Sequence, residues 1–140
     1  MKIKHIKRKR KVSEEDDLQT AVVTYLKLKY KSLFCASLGG QYQKYESQRR
    51  KAKRTGYKAG FPDLFIYEPK GIYSGLAIEL KTLKGTPYKN NGMYKKKYDL
   101  GGDRYNQTEW LENLRLRGYQ AQFVVGFDQA KEVIDNYYNQ

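Results

Sequence analysis

The sequence is poor in the residues that build disulfides and zinc sites. It contains one cysteine, Cys35, and one histidine, His5, among 140 residues. A single cysteine excludes an internal disulfide, and the two residues cannot supply a thiolate and imidazole set for zinc. We assign neither residue a role. We expect a protein of a reducing cytoplasm, in which any metal ion is held by oxygen ligands.

Long apolar runs are also missing. No segment approaches the roughly 18 consecutive apolar residues that span a bilayer, and no apolar stretch follows the basic N-terminus. Hydrophobic residues make up 39% of the chain, and 14 tyrosines supply much of the aromatic content. The sequence therefore predicts a soluble chain without a membrane partner, with one domain over residues 13–140 and a small core.

Acidic residues are few relative to basic ones, 15 against 28, which leaves a net charge of +13. Such an excess indicates a polyanionic partner, and nucleic acid is the first candidate. Residues 1–12 are dense in positive charge and lack an apolar period, so we expect a disordered basic arm. It either closes on phosphates or only aids solubility. Its candidate DNA contacts are Lys7, Arg8 and Arg10.

A second basic segment, residues 41–58, interleaves lysine and arginine with Tyr42, Tyr45 and Tyr57. Positive charge with aromatic side chains is typical of a surface that binds phosphates and stacks on bases. A solvated helix face is the alternative interpretation. The candidate DNA contacts in this segment are Arg49, Arg50, Lys53, Arg54 and Lys58.

Local patterns predict the first elements. Ser13, followed by acidic residues and an apolar period, predicts a capped amphipathic helix to about Tyr30. Residues 32–38 predict a buried strand that ends at a Gly39-Gly40 turn. Residues 62–67 and 74–81 predict an antiparallel hairpin.

The C-terminal half is predicted in the same way. Residues 84–104 have no apolar period and predict a long mobile loop. Residues 105–117 predict a second helix closed by Gly118, with Trp110 in the core rather than stacked on a base. Residues 121–127 predict a strand, and Asp128 is expected to cap a last helix.

Three charged residues stand where strands are usually apolar. Asp63 begins one apolar run, and Glu79 and Lys81 interrupt the end of the next. Residues two apart on a strand face the same side, so Glu79 and Lys81 project together, and Asp63 joins them if the hairpin is in register. Two carboxylates and an ammonium suit metal-assisted phosphodiester hydrolysis, with Asp63 and Glu79 as ligands of Mg²⁺. The alternative is a buried ion-pair cluster.

The pair Pro62-Asp63 and Glu79-Leu80-Lys81 resembles the motif of the PD-(D/E)XK nuclease superfamily. Five elements in order resemble its VRR-NUC branch over residues 14–135. They are Glu15 to Gln19, residues 55–66, residues 78–85, Gln107 to Trp110, and residues 117–130.

The resemblance implies an α/β fold with a central mixed sheet flanked by helices. It implies that a first-helix glutamate assists the metal, which maps onto Glu15. The helical phase agrees, since Glu15 lies above Leu18 and Val22, whereas Asp16 and Asp17 point away; Glu14 remains an alternative. It also implies that Gln107 borders the site, where glutamine equally suits a helix start, and that the Leu80 main-chain carbonyl reaches the metal.

The resemblance further implies a Mg²⁺-dependent DNA endonuclease in which Mn²⁺ can substitute. Stand-alone proteins of this branch are typically viral or phage-borne, act in the host cytoplasm on branched DNA such as four-way Holliday junctions, and form homodimers. Two functions remain as alternatives: a non-catalytic basic nucleic-acid-binding protein, and a sequence-specific restriction-type endonuclease.

One segment departs from this pattern. Relatives pass quickly from the lysine strand to the glutamine, but here residues 86–104 are interposed. We call this segment the insert. It is rich in lysine and tyrosine and is expected to bind DNA near the cleft, with Lys95 and Lys96, and Lys84 just before the insert, as candidate contacts.

Overall fold

The computed structural model describes residues 13–37 and 43–140. In chain order the elements are α1 (Glu14–Lys29), β1 (Phe34–Ala36), α2 (Glu46–Arg54), β2 (Leu64–Ile66), β3 (Leu76–Lys81), a 3-10 helix (Lys96–Tyr98), α3 (Tyr105–Leu116), β4 (Gln120–Val125) and α4 (Gly126–Tyr138). Within these ranges no helix has the length and apolar character needed to cross a membrane. The predicted basic arm and the predicted Gly39-Gly40 turn lie outside the described residues.

The four strands form one mixed sheet in the order β1-β2-β3-β4. β1 and β3 both run antiparallel to β2, whereas β4 runs parallel to β3. A parallel pair needs a long crossover, which residues 82–119 provide because they include the insert and α3. The predicted mixed sheet and the predicted hairpin are confirmed.

Alternate residues of β3 pack on opposite faces of this sheet. Ile78 and Leu80 belong to one hydrophobic cluster, with residues of α1 and α4. Ala77 belongs to a second cluster, with residues of α3 and the insert. Glu79 and Lys81 follow Ala77 at a spacing of two, so they lie on the face that α3 covers.

The first helix begins at a side-chain cap and is bonded to α4. Ser13 Oγ accepts a hydrogen bond from the Asp16 main-chain nitrogen at 3.1 Å, which confirms the predicted cap. Further along α1, the hydroxyls of Tyr25 and Tyr30 donate to Asp135 of α4 at 2.7 and 2.6 Å. These bonds join the C-terminal half of α1 to α4.

Two sequence-based expectations about these elements are wrong. The predicted buried strand at residues 32–38 is the short β1, which has one neighbouring strand and leaves Cys35 exposed. Asp128 does not cap α4. The helix already begins at Gly126, whose φ of +80° favours glycine, and the Val125 main-chain nitrogen donates to the side chain of Gln129.

The insert is folded, which corrects the expectation of a long mobile loop. Tyr88 and Tyr94 form an isolated β-bridge, stack with ring centroids 5.4 Å apart, and both pack edge-on against Phe123 of β4. Tyr98 is 1% exposed, and its carbonyl accepts a hydrogen bond from the buried hydroxyl of Thr108 at 2.6 Å. Tyrosines thus build a core that an apolar period does not reveal.

Tyr98→Ala is expected to lower the free energy of unfolding by about 3–5 kcal/mol, the usual cost of deleting a buried aromatic ring. Tyr98→Phe keeps the ring and is expected to cost less than about 1.5 kcal/mol. Urea denaturation measures both. Tyr45→Ala is the control, since Tyr45 is 66% exposed. Equal unfolding midpoints for Tyr98→Ala and Tyr45→Ala would contradict a folded insert.

Candidate active site

Asp63, Glu79 and Lys81 converge at the sheet edge where β3 ends. Asp63 directly precedes β2, and the pairing of Leu64 with Ile78 sets it opposite the end of β3. Its Oδ2 accepts a hydrogen bond from the Leu80 main-chain nitrogen at 2.8 Å. The hairpin register therefore brings the Asp63 carboxylate next to Glu79, as the sequence predicted.

Lys81 is a buried ammonium with four neighbours. Its Nζ lies 3.3 Å from Glu79 Oε1 and donates to Gln107 Oε1 at 2.7 Å. The rings of Tyr98 and Phe123 lie beneath it, with centroids 5.3 and 5.9 Å away. Oxygen acceptors and aromatic faces together compensate the charge for its loss of water.

Glu79 keeps one carboxylate oxygen without a partner. The residue is 5% exposed, and its buried Oε2 has no hydrogen-bond partner among the described residues. Burial, reinforced by the neighbouring Asp63 carboxylate, raises the pKa of Glu79 to about 8. Burial also raises the pKa of Asp63. Two such carboxylates, one with an unsatisfied oxygen, fit the oxygen ligands that a divalent cation requires.

These groups line a cavity of about 200 Å³ between α1 and the start of α3. Glu15 and Gln107 line it as the sequence predicted. It is also lined by residues that the sequence did not single out for the site: Asp16, Gln19, Tyr57 and Arg104.

The first helix presents its acidic residues differently from the expectation. Asp16 was expected to point away, but it lines the cavity beside Glu15. Glu14 instead lies 4.0 Å from Lys84 Nζ. Glu15 is exposed, yet its charge adds to the effect of burial in raising the pKa of Asp63. Within residues 13–37 and 43–140 no group of three or more His, Cys, Asp or Glu side chains is arranged to hold a metal ion.

The basic residues predicted to contact DNA fall into separate groups. Arg49, Arg50, Lys53 and Arg54 lie on α2, which buries none of its residues, and Lys58 is exposed just after it. Arg49 also donates to the carbonyls of Gln43 and Lys44. Lys84 and Lys96 are exposed and Lys95 is half-buried. Lys7, Arg8 and Arg10 lie outside the described residues.

Trp110 lies at the edge of the core, as predicted. It packs edge-on against Phe61 at 5.1 Å and donates its indole N–H to the Ala59 carbonyl at 3.1 Å. Gly60 approaches α3 so closely that a Cβ there would lie 2.7 Å from the Asn106 main chain. The segment that leads to Asp63 is therefore held against the start of α3.

Glu79→Gln is expected to stabilise the metal-free protein at pH 8 by about 1–3 kcal/mol. The folded pKa of about 8 exceeds the ordinary 4.5, so between these values the folded protein holds a proton that the unfolded chain has released. Glu79 therefore lowers stability as pH rises through this interval, and glutamine removes the penalty. Chemical denaturation in EDTA measures the difference, which should shrink to less than about 1 kcal/mol near pH 5.

The control is Glu132→Gln, because Glu132 is exposed on α4. It is expected to leave stability unchanged at both pH values. A Glu79→Gln protein that is less stable than the wild type at pH 8 would mean that Lys81 holds Glu79 ionised.

One of three comparisons with known proteins finds a similar structure. No family model matches the sequence, and no curated protein matches it significantly. A search of solved structures finds a VRR_NUC domain protein with a TM-score of 0.63 and 29% sequence identity, covering 93% of this chain and 92% of that chain. The match covers nearly the whole of both chains, and it indicates a nuclease-type domain that is similar in fold and sequence to this VRR_NUC protein.

Proposed function

We propose that this protein is a Mg²⁺-dependent DNA endonuclease that hydrolyses phosphodiester bonds in the cavity at the end of β3. The observation that carries the proposal is the convergence of Asp63 and Glu79 beside Lys81, with Glu79 Oε2 buried and unpartnered. A buried acceptor without a donor is costly to stability, and a cation would satisfy it.

Asp63 and Glu79 would hold the ion, together with the main-chain carbonyl of Leu80. Bound Mg²⁺, or Mn²⁺ in its place, would polarise a phosphate oxygen and lower the pKa of a coordinated water. Glu15 lines the cavity without joining the pair, so we assign it a contact through water.

Lys81 supplies the positive charge next to the reacting phosphate. Its ammonium orients the attacking water and offsets the negative charge that develops as the new P–O bond forms and the old one breaks. Gln107 accepts a hydrogen bond from Lys81 and thereby fixes the direction of its N–H groups. Gln107 is in this sense a positioning residue.

The exposed basic face of α2 is proposed as the surface that holds the duplex. It carries Arg49, Arg50, Lys53 and Arg54, with Lys58 following, and it leads through Tyr57 to the cavity. Contacts between basic side chains and the phosphates of the DNA backbone supply affinity rather than sequence preference. This fits a substrate recognised by shape.

The preferred substrate is proposed to be branched DNA such as a Holliday junction, cleaved by a homodimer in the cytoplasm. The support is the family resemblance and a symmetry argument, since a two-fold dimer presents two active sites to a junction of similar symmetry. The basic arm of residues 1–12 would add phosphate contacts.

Asp63→Asn is expected to reduce DNA cleavage at least about 100-fold, because the variant loses a charged ligand of the ion. The assay compares labelled junction, flap, nicked and plain duplex DNA, each with Mg²⁺ and with EDTA. We expect cutting only with Mg²⁺ and fastest on the junction.

Asp128→Asn is the matched control, since Asp128 is exposed on α4 away from the cavity. It should cleave like the wild type. Binding of DNA without cutting under every condition would favour a non-catalytic binding protein. Discrete fragments from a long linear duplex would favour a restriction-type enzyme.

Gln107→Leu is expected to lower the cleavage rate about 10- to 100-fold, the usual effect of removing a residue that orients an active-site group. The substitution keeps the size of the side chain but removes the acceptor of Lys81. Gln107→Glu retains an acceptor and should recover part of the rate. Single-turnover cleavage measures both, and an unchanged rate in Gln107→Leu would exclude the positioning role.

A further inference from the structure

The active-site cavity is lined by acidic side chains, which repel the negatively charged phosphates of a nucleic acid. Glu15 and Asp16 from α1 face the same space as Asp63 and Glu79. Among the lining residues that the structure describes, the cations are Lys81 and Arg104. Lys81 is 8% exposed and already engaged by Glu79 and Gln107, so Arg104 is the cation that a ligand reaches first.

The guanidinium of Arg104 has no interaction partner among the described residues. It is exposed, and within residues 13–37 and 43–140 its side chain forms no hydrogen bond, ion pair or cation–π contact. An arginine that lines an acidic cavity without pairing to its carboxylates keeps its donors available. A planar guanidinium can donate two parallel N–H groups to one phosphate, which a lysine cannot.

The backbone of Arg104 is held on both sides. Its nitrogen donates to the Lys97 carbonyl at 2.7 Å, and its carbonyl accepts from the Gln107 nitrogen at 3.2 Å. Gly102 allows this approach, because a Cβ there would lie 2.4 Å from the carbonyl oxygens of Lys96 and Lys97. The folded insert therefore sets the point from which the Arg104 side chain reaches the cavity.

We propose that Arg104, a residue of the insert, binds a backbone phosphate of the nucleic acid inside the active-site cavity. The inference rests on the proposed function and adds to it a phosphate contact that the insert provides. In this proposal the insert contributes a residue to the active site itself, in addition to the exposed lysines on its surface.

The test compares Arg104→Gln with Lys97→Gln. Both variants remove one exposed positive charge from the same segment, but the Lys97 ammonium lies 5.4 Å from the Tyr98 ring and does not line the cavity. Binding of a short fluorescent DNA duplex is measured with Ca²⁺ at several salt concentrations. Cleavage of the same duplex and of a junction is measured with Mg²⁺, and thermal melting checks that both variants fold.

Arg104→Gln is expected to weaken binding and lower kcat/KM about 10- to 100-fold, the effect of losing a charge-assisted hydrogen bond. The slope of log affinity against log salt should fall by about 1. Lys97→Gln is expected to change affinity less than about threefold. Equal effects of the two substitutions would overturn the inference.

The two proposals fail separately. If the wild type binds DNA without cutting it, and Arg104→Gln still weakens binding more than Lys97→Gln, the nuclease proposal fails and the phosphate contact stands. If the wild type cleaves and the two variants behave alike, the phosphate contact fails and the nuclease proposal stands. A wild type that binds no DNA overturns both.

Discussion

The structure depends on burying an ammonium and a carboxylate side by side on a central strand. Lys81 and Glu79 are 8% and 5% exposed, and because removing a charge from water costs several kcal/mol, burial raises the pKa of Glu79 to about 8. Gln107, two aromatic rings and the adjacent carboxylate offset part of that cost for Lys81. Glu79 remains only partly satisfied. Keeping such a pair lowers the stability of the fold, as is expected of residues retained for a function rather than for packing.

The central part of the site could be predicted because it depends on local rules. The period of two places Glu79 and Lys81 on one face of β3, and the short hairpin fixes the register that brings Asp63 beside them. Both facts lie within twenty residues of sequence. The Ser13 cap and the Gly118 helix end are equally local and were equally predictable.

The insert could not be predicted in the same way. Its tyrosines pack against Phe123, a residue of β4 that is distant in sequence, so their burial leaves no periodic pattern within the segment itself. Arg104 was missed for the same reason, since its place at the cavity follows from that packing. Asp16 was misjudged because the first turn of α1 faces a neighbouring loop and strand end rather than the core. The sequence-based prediction takes the inward face of α1 from its apolar residues Leu18 and Val22. That face does not coincide with the side of the helix that lines the cavity.

The position of the insert within the parallel crossover has a consequence for how the length of that connection can vary. Residues 82–119 join β3 to β4, and the insert makes up half of them. Because the entropic cost of closing a loop grows only with the logarithm of its length, a crossover of twice the length costs about 0.6 kcal/mol more to close on folding. Tyr88, Tyr94 and Tyr98 of the insert pack against Phe123, and these contacts oppose that cost. A crossover of this kind can therefore differ in length between proteins while the order of the strands in the sheet stays unchanged.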